Sequence, residues 1–343
     1  MEERSYRSFD FDRLADQPTG PAPPPEWRQW HETPVAAQVL AEGEDPDQWE
    51  YEEHAHRGRG VALPVALFFA TCVTTFLAGV FDSESFLPVL IKAPSLFWET
   101  IANNWWTGAL YMLSVMGILF THEMGHFLQA MRYRVAASLP YFIPMPNLFG
   151  TMGAVIGMQG TQANRKELFD IGLTGPLAGL VIALPVTIIG VMQATVIPVV
   201  HGSGTHFNAP YLLHVLMRWY HPDLGPGMAL SDSPLLMAGW VGLFVTGLNM
   251  LPISQLDGGH VAYALFGRGA WTLARLVLFA VMAFIVLAQA YQWMIMLLLI
   301  MFLGADHPPT RNDQQPIGWG RYVLGLASLA LPLLCVAPFP ISG

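Results

Sequence analysis

The segment SVMGILFTHEMGHFLQA, residues 114–130, carries two histidines and a glutamate inside an otherwise apolar run. In a helix, side chains four residues apart lie on one face, so the imidazoles of His122 and His126 can bind one metal ion. Glu123 follows the first of these histidines, where its carboxylate can act as a base toward a metal-activated water molecule. Such groups are costly inside a membrane span, so the segment predicts a metal-dependent site within a transmembrane helix.

The composition also indicates a membrane protein. Of 343 residues, 53% are hydrophobic and 12% are charged, whereas soluble domains carry about 25% charged residues. Residues 1–60 hold fourteen Asp and Glu against six Arg, while residues 61–343 hold eleven against ten Lys and Arg. The basic surface typical of nucleic-acid-binding proteins is therefore not expected, and no nucleic acid is predicted as a partner.

Apolar runs divide the chain after its acidic first part. A span needs roughly 20 apolar residues, and we find runs at 61–81, 106–130, 171–200, 234–266, 271–290, 293–304 and 322–337. The fourth run is interrupted between Pro252 and Gly259. The predicted fold is an all-α polytopic membrane protein, a bundle of about six to seven transmembrane helices over 61–343. Residues 1–60 are predicted to be a disordered, acidic, Pro-rich cytosolic tail.

Basic residues predict the orientation, because Lys and Arg concentrate in the cytosolic segments of membrane proteins. If the N-terminus is cytosolic and the seven runs alternate, fourteen of the sixteen Lys and Arg fall on the cytosolic side. Only Lys92 and Arg218 fall on the outer side. We therefore expect a multi-pass protein of the lipid bilayer whose site opens toward the cytosol, in the cytoplasmic membrane if the chain is bacterial.

A third metal ligand is expected, because catalytic zinc usually takes three protein ligands and a water molecule. Asp257 lies in NMLPISQLDGG, residues 249–259. His122 precedes Arg132 by ten residues and Asp257 precedes Arg268 by eleven, so on helices both lie roughly 15 Å below the same membrane edge. Asp257 is thus the candidate ligand. The alternative is that it only caps a broken helix.

The pairing of HExxH with Asn-x-x-Pro-x-x-x-Leu-Asp-Gly at 249–258 resembles the site-2 protease family of intramembrane metalloproteases. The likeness covers about 110–260 and implies a catalytic core at about 105–265. It implies one Zn2+ per chain, bound by His122, His126 and Asp257. It also implies that Glu123 is the base and that Asn249 holds the substrate or the oxyanion.

Other features are weighed against this resemblance. The outer loop, residues 201–233, has 33 residues, too few for the PDZ domain that many relatives carry. Gly175-Pro176 also resembles the family, although helix packing through small residues is the favoured interpretation for Gly175 and Gly179. Asp170 is expected to be a charge at a helix N-terminus, and His260 to support the ligands. Four further histidines are expected to be solvated: His201, His206, His214 and His221.

The resemblance and the residues together predict a zinc metalloendopeptidase that cleaves within or near transmembrane segments, as in regulated intramembrane proteolysis. Two alternatives use the same residues differently. A transporter or metal-binding membrane protein needs no general base, so Glu123 argues against it. In a non-catalytic scaffold, intramembrane His and Asp would be costly without a purpose.

Residues 139–160, LPYFIPMPNLFGTMGAVIGMQG, are apolar but hold three prolines and four glycines, which rules out a stable helix. The later half, Thr151 to Met158, predicts a strand, and the family resemblance implies a membrane-associated β-hairpin. We expect the edge of this strand to bind an unwound substrate by strand addition. The alternative is a hydrophobic loop that only packs on the bundle. The candidate substrate-binding residues are Gly153, Ala154, Val155 and Ile156.

The tail is expected to be dispensable for chemistry, since it lacks an apolar core. Deleting residues 1–50 should leave cleavage of a labelled transmembrane peptide by detergent-solubilised protein largely intact, compared with the full chain at equal zinc content. A collapse of the rate would indicate instead that the tail docks on the catalytic core.

Overall fold

Helices dominate the computed structural model, which describes residues 61–81, 91, 93–158, 162–198, 206–225, 227–231, 233–304 and 306–342. The predicted tail, residues 1–60, lies outside the described residues, so its disorder stays a prediction. In chain order, the elements are α1 Ala62–Val80, α2 Pro94–Arg132, β1 Tyr141–Pro144, β2 Thr151–Val155, α3 Arg165–Gln193, β3 Val196–Pro198, β4 His206–Phe207, α4 Tyr211–Tyr220, β5 Met228–Leu230, α5 Pro234–Asn249, α6 Asp257–Phe266, α7 Gly269–Leu287, the 3-10 turn Tyr291–Trp293, α8 Met294–Leu303, α9 Trp319–Ser328, α10 Leu331–Cys335 and β6 Ile341–Ser342.

The helices follow the predicted apolar runs. Helix α2 begins well before its run and has 39 residues, a length of about 58 Å against a hydrocarbon core about 30 Å thick. The fourth run breaks where the sequence predicted, since α5 ends at Asn249 and α6 begins at Asp257. The last run divides into α9 and α10, with Pro332 in the first turn of α10.

Three of the described helices are both long and apolar enough to cross a membrane, namely α1, α3 and α7. Helix α5 and the segment that contains α9 and α10 are apolar but shorter. The predicted helical class with a small β element is confirmed, and three helices are candidate spans. The count of six to seven spans stays a prediction.

Helix α3 is the element on which the site is assembled, because it contacts α2, α5 and α6. Its start is fixed by a capping box: the Asn164 side chain accepts hydrogen bonds from the backbone N–H groups of Lys166 and Glu167. In return, the Glu167 carboxylate accepts one from the N–H of Asn164, 2.9 Å away. A cap of this kind stabilises a helix by about 1 kcal/mol.

Strands β1 and β2 form the predicted hairpin. They pair antiparallel, with Phe142 opposite Ala154 and Tyr141 opposite Val155. The strand ends at Val155 rather than at Met158, although Met158 forms an isolated bridge with Ala137. The structure also pairs β3 with β5 and β4 with β6, two short contacts that the sequence did not predict.

The tip of the hairpin packs between α1 and α2. The Thr74 hydroxyl donates a 2.6 Å hydrogen bond to the carbonyl oxygen of Gly150, and the Tyr111 hydroxyl donates one of 3.2 Å to that of Phe149. Tyr111 precedes His122 by eleven residues, about 16 Å along the helix axis. The tip of the hairpin therefore lies closer to the N-terminus of α2 than the HExxH motif does, and the second strand runs back past the motif.

Helices α3 and α5 cross closely at Gly190, where an added Cβ would lie 2.4 Å from the backbone nitrogen of Leu236. Backbone cannot move aside as a flexible side chain does, so Gly190→Ala should destabilise the protein by about 1–3 kcal/mol. Gly117→Ala on α2 is the matched control, because a Cβ there meets nothing within 4 Å. Thermal unfolding in detergent should give a lower Tm for the first variant only. Equal Tm values would contradict the close crossing.

Candidate metal centre

The three predicted ligands meet in space although they lie on two helices, the histidines on α2 and Asp257 on α6. His122 Nε2 is 3.1 Å from Asp257 Oδ2, and His126 Nε2 is 3.2 Å from Asp257 Oδ1. The two Nε2 atoms are 3.2 Å apart. Among the residues that the structure describes, these are the three metal-ligand side chains that form such a cluster, with their ligand atoms all within 4.8 Å of one another.

The break between α5 and α6 brings Asp257 to this position. Asp257 is the first residue of α6, where the helix dipole favours a carboxylate. Both of its oxygens contact imidazoles of α2, which goes beyond the alternative of a simple cap. The chain turns so tightly that a Cβ on Gly258 would lie 2.0 Å from the carbonyl oxygen of Met250. The loop between α5 and α6 therefore requires a glycine directly after Asp257.

Helix α3 holds the two histidines from the other side. A Cβ on Gly175 would lie 2.0 Å from His126 Nε2, and one on Gly179 would lie 3.2 Å from His122 Nδ1. The packing interpretation of these two glycines is thus confirmed. His126 Nδ1–H donates a 2.8 Å hydrogen bond to the carbonyl oxygen of Ile171, which leaves a lone pair on Nε2, facing Asp257.

The cluster fits a zinc ion by the chemistry of its donors. Imidazole nitrogens and a carboxylate oxygen are zinc ligands, with bonds of about 2.0–2.2 Å, so neighbouring donors of a tetrahedral site lie about 3.3 Å apart. The observed separations of 3.1 and 3.2 Å agree with this spacing. Three protein ligands leave a fourth position for another group, as in catalytic rather than structural zinc sites.

A cavity of about 150 Å³ adjoins the three ligands. Glu123 lines it and is buried, with 4% of its surface exposed. Asn249, the last residue of α5, also lines it, and its Nδ2 is 3.4 Å from His122 Nε2. The two motifs therefore place their remaining polar side chains beside the ligands and not elsewhere in the bundle.

The hairpin forms another wall of this cavity. Ala154, Val155 and Ile156 line it. Gly153, the fourth candidate, is not among the lining residues; it is buried in the hairpin with φ +96°, a left-handed conformation that glycine adopts readily. Three of the four candidate substrate-binding residues thus lie at the site, whereas Gly153 allows the left-handed backbone conformation within the strand.

Sequence reasoning missed one residue near the cavity, His307, in the loop between α8 and α9. It is 4% exposed, and its Nε2 is 2.6 Å from Nδ1 of His260, which lines the cavity. No motif marks His307, and it is 47 residues from His260 in the chain. Only the fold brings the two rings together.

The other titratable candidates lie outside the cluster. Asp170 forms a bidentate ion pair with Arg321, at 2.6 and 2.9 Å, and also accepts a hydrogen bond from the Tyr133 hydroxyl. The expectation that His221 is solvated was wrong, because its half-buried ring donates an Nε2–H hydrogen bond to the carbonyl oxygen of Val191 at 2.7 Å. His214 is exposed, as expected, while His201 and the side chain of His206 are not described by the structure.

Comparison with known proteins gives a consistent result. The sequence profile described as "Peptidase family M50" matches residues 110–289, which include the whole cluster. The "Probable zinc metalloprotease EGY1, chloroplastic" of Arabidopsis thaliana is 32% identical over 235 residues, 65% of this chain and 42% of the relative. "Probable zinc metalloprotease EGY2, chloroplastic" of the same plant is 29% identical, over 68% of this chain and 42% of the relative.

A third relative, "Probable zinc metallopeptidase EGY3, chloroplastic" of Arabidopsis thaliana, is 29% identical over 80% of this chain and 48% of its own length. The chain thus spans less than half the length of these curated relatives. No solved structure matches it. The profile covers more than half of the chain, together with the helices that carry the cluster, so the chain belongs to Peptidase family M50, the site-2 protease family.

Proposed function

We propose that this chain is an intramembrane zinc metalloendopeptidase that hydrolyses peptide bonds within or near the transmembrane segments of membrane proteins. The observation that carries the proposal is the convergence of His122, His126 and Asp257 beside a buried carboxylate, Glu123, on one cavity. The family and the names of the relatives support this chemistry.

His122, His126 and Asp257 would hold one Zn2+. When bound there, zinc supplies Lewis-acid polarisation of a carbonyl oxygen and lowers the pKa of water toward about 7. The chain's own residues prepare the site for it: Ile171 orients His126, and burial among helices keeps the ligands in place. A pair of imidazoles and a carboxylate this close would otherwise be an expensive cluster in an apolar bundle.

Glu123 is proposed as the general base. It lines the cavity beside His122, where its carboxylate can take a proton from the attacking water and then give it to the leaving amine. Asn249 is proposed to hold the substrate or the oxyanion, because its side-chain amide has two N–H donors and lies next to His122. A role in metal binding or transport without hydrolysis would not require Glu123 at this place.

The membrane arrangement is proposed from the helices and the charges. With a cytosolic N-terminus and seven crossings, fourteen of the sixteen Lys and Arg would lie on the cytosolic side, which favours this orientation. Arg132 ends α2, ten residues after His122, so the cavity would lie about 15 Å below that surface. Water must reach this depth, and we infer that it enters from the cytosolic side. The relatives' names state that those proteins are chloroplastic.

The substrate is proposed to bind along the hairpin. A transmembrane helix keeps its peptide groups in internal hydrogen bonds, so it must unwind before it can be cleaved. Strand β2 pairs with β1 on one side only, and the segment from Ala154 to Ile156 lines the cavity. Addition of an extended substrate to the free edge of β2 would replace part of the hydrogen bonding that unwinding removes.

Metal analysis of the purified protein should give one zinc per chain. Asp257→Ala should lose most of the zinc and the cleavage of a labelled transmembrane peptide, because it removes a ligand. Glu123→Gln should keep the zinc and lose about 100-fold or more in kcat, since it removes the base alone. Full zinc and full activity in Asp257→Ala would disprove the ligand assignment. Equal cleavage by wild type and Glu123→Gln would disprove the protease proposal.

Single proline substitutions at Ala154, Val155 and Ile156 test the strand addition. Proline removes the backbone N–H, and N–H groups along an edge strand alternate between β1 and the free edge. We expect alternating severity, with about 1 kcal/mol, or roughly fivefold in kcat/KM, for each lost hydrogen bond to substrate.

The controls are Val155→Ala and Ile156→Ala, which shorten the side chain but keep the N–H. Zinc content and Tm must match the wild type for a proline variant to be compared. Wild-type cleavage by all three proline variants would leave the hairpin as a packing element and rule out strand addition.

A further inference from the structure

The loop between α8 and α9 reaches the cavity through His307, which stacks on one side chain of α6 and forms a hydrogen bond with another. His307 in this loop packs its ring on Tyr263 of α6, with centroids 4.7 Å apart and planes 24° from parallel. Its Nε2 lies 2.6 Å from Nδ1 of His260. His260 in turn lines the cavity beside Glu123 and Asp257. A segment outside the family match, which ends at residue 289, thus contacts a wall of the site.

The hydrogen bonds fix which nitrogen carries the proton in each ring. His307 Nδ1 is 2.5 Å from the carbonyl oxygen of Pro308, and a carbonyl can only accept, so Nδ1 of His307 is protonated. Burial lowers the pKa of His307, which favours the neutral ring. In a neutral ring with Nδ1–H, Nε2 is an acceptor. His260 Nδ1 must therefore donate to it.

The same reasoning gives the state of the nitrogen that faces the cavity. A neutral His260 that donates through Nδ1 has a lone pair on Nε2. His260 lines the cavity and its Nδ1 is directed to His307, so Nε2 is the ring nitrogen still available to a group in the cavity. Among the described residues, the hydrogen bond of the His260 side chain is the one at Nδ1, which leaves Nε2 for another partner.

We propose that His260 Nε2 accepts a hydrogen bond from the attacking water and so orients it, and that His307 is a positioning residue that sets the tautomer of His260. This rests on the proposed function as a protease. A water that attacks through its oxygen must direct its two protons to acceptors. Glu123 accepts one proton, and His260 supplies an acceptor for the second from another wall of the same cavity.

Three substitutions at full chain length test the proposal. His307→Phe keeps a ring that can stack on Tyr263 but has no acceptor for His260. His307→Gln supplies an oxygen that accepts from His260 Nδ1–H and an amide that donates to Pro308. His260→Phe removes the acceptor in the cavity itself. Zinc content and Tm are measured for each, with cleavage of a transmembrane peptide in detergent.

We expect His307→Phe and His260→Phe to lose about tenfold or more in kcat, the size usual for groups that orient an active site, with KM little changed. His307→Gln should recover most of the loss. If the loop had a purely structural role, His307→Phe would instead keep a higher kcat than His307→Gln. Equal activity of His307→Phe and wild type, failure of the glutamine to exceed the phenylalanine, or an effect confined to KM would overturn the proposal.

Nitrogen-15 NMR of histidine-labelled protein gives a readout that does not depend on turnover. In the wild type, His260 and His307 should both show a protonated Nδ1 and an unprotonated Nε2, and in His307→Phe the tautomer of His260 should change. A protonated Nε2 on His260 in the wild type would overturn the assignment. If wild type and Glu123→Gln are equally inactive, the protease proposal fails. The nitrogen-15 chemical shifts of His260 and His307 still decide the tautomer assignment.

Discussion

Polar groups buried in an apolar helix bundle must be paired or bound, because each unpaired one costs several kcal/mol. In this chain, His122, His126 and Asp257 satisfy that requirement through one another, with ligand atoms within 4.8 Å. The positions of the surrounding helices follow from it. Helix α2 must bring two imidazoles to one face, and the chain between α5 and α6 must break so that a carboxylate can meet them.

Small residues on α3 make this arrangement possible. Gly175 and Gly179 leave the space that the imidazoles occupy, and the carbonyl of Ile171 orients His126. A larger side chain at Gly175 would overlap the ring it now accommodates. Packing and chemistry are therefore not separate in this helix, since the contact that holds α2 against α3 also directs a ligand atom toward its partners.

The supports of the site extend beyond the residues that the family profile matches. Helix α1 holds the tip of the hairpin through Thr74 and Gly150. Within the matched residues, Arg165 donates to the carbonyl oxygens of Ala264 and Leu265, at 2.5 and 2.8 Å, and so caps the last turn of α6. The loop that carries His307 packs on the same helix. Residues far apart in sequence thus hold the short helix that begins with Asp257.

The sequence alone predicted the helical class and the three side chains that meet in the structure, His122, His126 and Asp257. These depend on local patterns: apolar runs, i and i+4 spacing on one helix, and an acidic residue at matching depth in a run broken by Pro252 and Gly259. It also predicted the hairpin, since the proline and glycine content of residues 139–160 excludes a helix. In each case the physical cause lies within one continuous segment of the chain and the residues that flank it.

The tertiary structure was needed to show how these elements meet. The ring contact between His260 and His307, the clearance at Gly175, and the choice of Ala154 to Ile156 rather than Gly153 as the cavity wall all depend on long-range packing. The sequence favours packing for Gly175, but it does not specify which ring approaches it. The rings of His260 and His307, 47 residues apart, leave no signal in a single sequence, because nothing local to either residue requires the other.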